Sequence, residues 1–258
     1  AIQNAIESTR PDAIVSAAAY TAVDKAESER DIAFAINASG AGAAAQAAQH
    51  LGVPIVHIST DYVFDGSKPT AYAEDDPTDP TSVYGASKLA GEEAVLAASE
   101  NVAILRTAWV YSPFNANFVK TMLRLATDRE EVGVVADQYG NPTSALDIAD
   151  GILTVLVNLS ASDDNSLRGV FHMTGLGEAS WAEFAERIFT ASGAAGGPSA
   201  RVRSISTSDY PTPATRPPNS RLDCSKLTRT HGVRLPDWRG STDEVVTRLV
   251  AEILEGRN

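Results

Sequence analysis

Apolar positions along the chain fall into two rhythms. Short runs of β-branched and small residues, AIVSAAA (13–19), PIVHIST (54–60) and NVAILRTAWVY (101–111), read as strands, the first a buried strand followed by a tight loop. Between them lie segments with helical propensity: the Ala-rich stretch 27–51, closed by Gly52 as a C-cap, and VYGASKLAGEEAVLAAS (83–99). DGSKPTAYAEDDPTDPTS (65–82) is dense in turn formers and acids and reads as a surface loop. Strands alternating with helices predict a parallel sheet with right-handed crossovers, a doubly wound, Rossmann-like α/β fold. The opening AIQNAIESTRPDAIV reads as the tail of a helix feeding a strand. A buried parallel strand needs neighbours, so the pattern predicts that an N-terminal segment precedes this chain.

After Tyr111 the alternation loosens. A helix is expected over 117–129, then strand, turn and helix over 132–157 with Ser144 as a candidate N-cap. GVFHMTG (169–175) reads as a strand. The segment 180–192 reads as an amphipathic helix with Trp181, Phe184, Ile188 and Phe189 on one face. Residues 193–221 are rich in Gly, Pro, Ser and Thr, and a last helix is expected over about 241–255. The expected organisation is a dinucleotide-binding domain of 1–112 and 143–175, incomplete at its N-terminus, and a smaller mixed α/β substrate domain of 113–142 and 176–258.

Composition narrows the function. The 258 residues carry a net charge of −12, which argues against nucleic acid or an anionic membrane as the main partner. No apolar run reaches the roughly 18–20 residues that span a bilayer. One cysteine, Cys224, rules out an intramolecular disulfide and suits a reducing cytoplasm. His50, His57, His172 and His231 are scattered, without metal-ligand spacing.

The chemistry concentrates at strand ends, where open α/β sheets bind ligands. Tyr20–Thr21, Ser59–Asp61 and Trp109–Tyr111 follow three strands. Tyr84 and Lys88 lie four apart on a predicted helix and share a face. A carbonyl receiving hydride needs a proton, and a free phenol, with a pKa of about 10, is a sluggish acid. An ammonium about 4 Å away stabilises the phenolate by up to roughly 4 kcal/mol, lowering that pKa by at most about 3. A hydroxyl of Ser59 or Thr60 could hydrogen-bond the substrate oxygen, although turn capping explains both about as well. Y-x-x-x-K alone is a weak motif.

The strings STDYVFDG, VYGASKLAGE and RTAWVY, with RPDAIVSAAAYTAVDKAE upstream and NFVKTMLRLA, DQYGNPTSALDIAD and YPTPATRPPNSRLD downstream, resemble the extended short-chain dehydrogenases/reductases, and most of all the dTDP-4-dehydrorhamnose reductases. The resemblance covers essentially the whole chain. It implies hydride transfer from NADPH or NADH to C4 of a 4-keto-6-deoxy sugar on a nucleotide. It assigns Tyr84 as proton donor, Lys88 to the nicotinamide ribose and Thr60 as the third catalytic residue. It places Ala17, Ala18, Ala19, Tyr20 and Thr21 along the cofactor, and Thr60, Asp61, Trp109, Gln138, Asn219 and Arg221 around the substrate. Arg216 and Asn141 border these segments. Mg2+ and a homodimer stay open. The family's Gly-rich turn after its first strand does not occur in this chain, so that turn, and the choice between NADPH and NADH, belong to the expected preceding segment of some 40–50 residues. Two other readings remain: a related nucleotide-sugar reductase or epimerase, and a non-catalytic subunit resembling the regulatory subunit of methionine adenosyltransferase.

Overall fold

The computed structural model describes residues 1–256; the last two positions of the expected second domain lie outside them. In chain order the elements are α1 (Ile2–Thr9), β1 (Ile14–Ser16), α2 (Val23–Ala26), α3 (Arg30–Phe34), α4 (Ala41–Leu51), β2 (Ile55–Thr60), α5 (Val83–Ala98), β3 (Val102–Thr107) and β4 (Val110–Tyr111). They continue with α6 (Phe118–Leu125), β5 (Glu131–Val135), β6 (Tyr139–Gly140), β7 (Thr143–Ser144), α7 (Ala145–Ala161), β8 (Gly169–His172), β9 (Ala179–Ser180), α8 (Trp181–Ala194), β10 (Arg201–Ile205), α9 (Ser225–His231) and α10 (Trp238–Glu255). The chain parts into two units: Ala1–Thr107 with Asp150–Met173 and Thr212–Arg234, and Ala108–Ala149 with Thr174–Pro211 and the remainder from Leu235.

The first unit is built on a parallel sheet of order β1-β2-β3-β8. Ile55, Val56, Ala103, Ile104 and Leu105 are buried, as expected of strands covered on both faces. Register sets Ser59 beside Arg106 and Thr60 beside Thr107, and Arg106 beside His172. The Ala-rich pattern of α4 has a packing use. Ala41, Ala44, Ala45 and Ala48 join Ile14, Ile55, Val95 and Ile104 in one apolar cluster. A Cβ on Gly42 would sit 3.2 Å from that of Ala94, so small residues let α4 lie close to α5.

Four expectations change. The first strand, expected to be buried, leaves Val15 exposed, and the chain departs from the sheet after Ser16. The expected helix 27–51 is α3 and α4 joined by a π-turn over Ala35–Gly40, preceded by the short α2. Gly52 does close it, in the left-handed conformation at φ 70°. The expected strand 101–111 splits into β3 and β4, because Trp109 takes φ 47° and cannot continue a strand. The segment 212–234, expected in the second domain, belongs to the first unit. Tyr72 pairs with Leu222, its amide donates to the Arg221 carbonyl (2.8 Å) and its carbonyl accepts from the Asp223 amide (2.8 Å). Gly66, at φ 81°, makes that approach possible, since a Cβ there would lie 2.5 Å from Pro217 Cβ.

The second unit packs α6, α8 and α10 around Tyr111, Val119, Leu123, Phe184, Ile188, Trp238, Val246 and Leu249. Helix α8 starts at a capping box: the Ser180 hydroxyl accepts from the Glu183 amide, and the Glu183 carboxylate accepts from the Ser180 amide (2.6 Å). Helix α10 begins at Trp238, earlier than expected, because Asp237 caps it by accepting from the Arg239 amide (2.9 Å). Strand β10 pairs in parallel with β5 along its whole length.

Candidate active site

Strand β2 ends in Ser59-Thr60, and the chain turns at once into a single 3-10 turn, Asp61–Val63. Thr60 caps that turn by accepting from the Tyr62 amide (3.2 Å), and donates to Asp61 Oδ1 (2.9 Å). Ser82 caps α5 by accepting from the Gly85 amide (3.1 Å). Gly85 lies so close to this turn that a Cβ would sit 2.2 Å from the Tyr62 carbonyl oxygen. The first turn of α5 is thereby set against the end of β2. The Tyr84 ring lies edge-on to that of Tyr62 at 5.6 Å. Thr60, Asp61, Tyr84 and Lys88, singled out from sequence, thus share one corner of the first unit.

The charges there differ from the sequence expectation. Burial pushes the Tyr84 phenol up to about 12, against the opposing hydrogen bond with Thr60; the Asp61 charge adds to the rise. The expected lowering by Lys88 is not among the influences on Tyr84; the Lys88 ammonium donates to the Ile58 carbonyl (2.6 Å). Burial pulls Lys88 itself down to about 8, with Glu92 working against the fall. Asp61 is pushed up to about 6 by burial, opposed by hydrogen bonds from Ser220 and Thr60. Its Oδ2 is buried without a hydrogen-bond partner. At neutral pH the corner therefore holds a neutral phenol, a carboxylate with one unpartnered oxygen, and an ammonium with donors to spare.

The segment Ala17–Thr21 is open on its surface, with Ala17, Ala18 and Thr21 exposed. Asn37 ties it down. The Tyr20 amide donates to Asn37 Oδ1 (2.7 Å), while Asn37 Nδ2 donates to the Tyr20 carbonyl (3.1 Å) and to Ser87 Oγ on α5 (2.9 Å). Sequence reading missed Asn37. The signal was the one asparagine in an Ala-rich helix; it lies buried in the π-turn. Asn219 is spent on loop structure: Nδ2 donates to the carbonyls of Lys68 (2.6 Å) and Thr70 (2.8 Å), and Oδ1 accepts from Arg221 Nε (2.7 Å). Arg221 also donates to the Pro69 carbonyl (2.5 Å). Arg216 forms a forked pair with Asp24 (3.1 and 2.9 Å), which holds the Asp24 carboxyl below its usual range.

In the second unit, Trp109 stacks on Trp181 at 3.6 Å and 8°. Gly140 makes room for it, since a Cβ would fall 2.4 Å from the indole. Gln138 donates to Thr207 Oγ1 (3.1 Å) and Asn141 to the Gly177 carbonyl (2.7 Å). Among the described residues no group of three or more His, Cys, Asp or Glu is placed to hold a metal, and no helix is long and apolar enough to cross a membrane.

A parallel sheet with a hydroxyl at one strand end and Tyr-x-x-x-Lys on the following helix defines the Rossmann-like architecture of the extended short-chain dehydrogenases/reductases. The comparisons with known proteins narrow this. The family model described as RmlD substrate binding domain matches residues 1–251. The dTDP-4-dehydrorhamnose reductase of Sinorhizobium fredii is 54% identical over 257 residues, covering 100% of this chain and 86% of that protein. The Bacillus anthracis dTDP-4-dehydrorhamnose reductase, solved in complex with NADP, superposes with TM-score 0.86 at 39% identity, covering 97% of this chain and 84% of that one. A Clostridium acetobutylicum dTDP-4-dehydrorhamnose reductase gives TM-score 0.87 at 38% identity, covering 98% and 85%. The chain belongs to the dTDP-4-dehydrorhamnose reductase family.

Proposed function

We propose that this chain reduces the C4 keto group of dTDP-4-dehydro-L-rhamnose to give dTDP-L-rhamnose, with NADPH as reductant and Tyr84 as proton donor. The observation that carries the reading is the corner where Thr60, at the end of β2, meets the first turn of α5: the Tyr84 ring lies edge-on to Tyr62 at 5.6 Å, and Lys88, one turn further along, donates to the Ile58 carbonyl (2.6 Å). The relatives' activity and the NADP in the Bacillus anthracis structure support it.

Two features fit a dinucleotide. Lys88 has three N–H donors and gives one to Ile58, leaving two for ribose hydroxyls. The exposed small residues of Ala17–Thr21 leave backbone open to a ligand. NADPH, when bound, supplies the hydride. The rest of the chemistry falls to the chain. Tyr84, with its phenol pushed up to about 12, is fully protonated at neutral pH and holds a proton for the oxygen that becomes an alkoxide. Thr60 orients that phenol. The unpartnered Asp61 Oδ2 is an acceptor for a sugar hydroxyl. Asn219 and Arg221 are proposed to border the nucleotide sugar in the first unit, Asn219 by shaping the loop it clamps. The cytoplasm is the proposed setting.

The test is Tyr84→Phe in the complete protein, followed by NADPH oxidation with the keto sugar. The expected outcome is a fall in kcat of about 10²–10⁴-fold with little change in KM. Near wild-type turnover would overturn the role of Tyr84.

A further inference from the structure

Helix α5 carries Tyr84, Lys88 and Glu92 at intervals of four, so the three share a face. Glu92 is 2% exposed, and its hydrogen bonds run to the neighbouring strands. Oε1 accepts from Ser59 Oγ (2.5 Å) and from Arg106 Nε (2.9 Å); Oε2 accepts from Arg106 Nη2 (2.7 Å). Ser59 and Arg106 are register partners on β2 and β3, and Ser59 directly precedes Thr60. Arg106 is held from its other side by the Phe64 ring, 5.1 Å away. One carboxylate therefore pins the helix of Tyr84 and Lys88 to two strands at the level of Thr60.

A buried ion pair is a poor way to stabilise a fold. Desolvation offsets most of the attraction, and apolar replacements often do as well. It is a good way to fix register, because a forked Arg–carboxylate pair admits one geometry. We propose that Glu92 is a positioning residue for the reduction, registering Tyr84 and Lys88 against Thr60 and holding Lys88 as an ammonium. This rests on the catalytic reading of Tyr84 and Lys88 above.

The groups around Lys88 support the second part. On α5 these are Tyr84, a neutral phenol, and Glu92. From β2 come the Ile58 carbonyl and His57, which burial and the Lys88 charge hold neutral, down to about 3. Asp61 follows β2 and bonds Thr60 and Ser220. From β3 comes Arg106, whose charge is matched by Glu92. Burial alone drives Lys88 towards the neutral amine, and Glu92 is the charge that opposes it. Removing Glu92 must therefore lower the Lys88 pKa further.

The test compares wild type with Glu92→Gln in the complete protein. The Lys88 side chain is titrated by NMR on ligand-free, lysine-labelled protein, with its signal assigned through Lys88→Arg. The expected midpoint falls by about one from its wild-type position near 8. In the assay kcat falls about tenfold or more, KM stays within about twofold, and the alkaline limb of the kcat profile moves to lower pH. A Lys88 midpoint unchanged from wild type overturns the electrostatic part. Ser59→Ala keeps the ion pair and cuts only the link to β2, so it reports on register even where Glu92→Gln fails to fold. Its expected result is a several-fold loss of kcat with an unchanged melting temperature. Unchanged kcat in Ser59→Ala overturns registration through β2. If Tyr84→Phe were to turn over normally, the reduction mechanism would fall, while the NMR midpoint would still decide whether Glu92 holds the Lys88 charge.

Discussion

Asp61 offers a direct check on the electrostatics of the corner. It is 3% exposed, burial pushes its pKa from the ordinary 3.8 up to about 6, and one carboxylate oxygen has no partner. In the unfolded chain the group ionises near 3.8; in the folded protein it holds its proton until about 6. Between these values the folded state binds more protons, so stability falls as pH rises through the window and levels off above it. The gap, at about 1.4 kcal/mol per pKa unit, corresponds to about 3 kcal/mol at neutral pH and none below pH 3.8. Asp61→Asn removes the ionisation and keeps the shape. Its amide has a burial cost of its own, but that cost does not depend on pH and drops out of the comparison. The measurement is urea unfolding of ligand-free wild type and Asp61→Asn from pH 4 to pH 8. The variant should gain on wild type by about 2.5 kcal/mol across that range, with the change centred between 4 and 6. Parallel pH profiles would refute the reasoning and leave the carboxylate adequately solvated in the fold.

Two further perturbations test how the site is supported. Gly66→Ala combines a left-handed backbone with a Cβ 2.5 Å from Pro217, and should destabilise the protein by about 3 kcal/mol, read as a lower melting temperature. Trp109→Phe removes one ring of a stack at 3.6 Å and 8°, and should abolish the coupled-indole component of the near-ultraviolet circular dichroism; an unchanged spectrum would mean that the two rings do not stack in solution.

Much of the first unit was legible because its elements follow local rules. β2 is a β-branched run, α5 is a run of good helix formers, and α4 ends on a glycine with room for φ 70°. The pairing of Thr60 with Tyr84 could be anticipated because a strand end and the next helix start are neighbours in any parallel sheet. What stayed hidden was set by distant partners. The π-turn at Asn37 answers to Tyr20 and Ser87, which no window around residue 37 contains. Strand β10 has a polar, weakly buried pattern and is defined by β5, about seventy residues earlier. The tuning of Tyr84 was misjudged for a related reason. Spacing put Lys88 on the right face, but the Ile58 carbonyl that accepts its hydrogen bond comes from another element.

Where the fold leaves polar atoms unsatisfied gives the strongest physical argument for where it works. Among the described residues, buried side-chain atoms without a hydrogen-bond partner include His57 Nε2, Asp61 Oδ2, Arg106 Nη1, Thr107 Oγ1 and His172 Nε2. Asp61, Arg106, Thr107 and His172 lie at or directly after the carboxyl ends of β2, β3 and β8, which are register neighbours; His57 lies midway along β2, and Ser99 Oγ and Trp238 Nε1, also without a partner, lie outside these strands. Each such atom costs about 1–3 kcal/mol when dry, and a domain's net stability is only about 5–15 kcal/mol. A sequence selected for stability alone would place apolar residues at these positions, as it does at Ile55, Ile104 and Leu105 further back on the same strands. The contrast within β3, apolar from Val102 to Leu105 and under-satisfied polar at Arg106 and Thr107, is what a ligand end superimposed on a structural end requires. Asp61 lies just past the end of one of those strands, so the pH dependence predicted for it measures how much stability the fold gives up there for its chemistry.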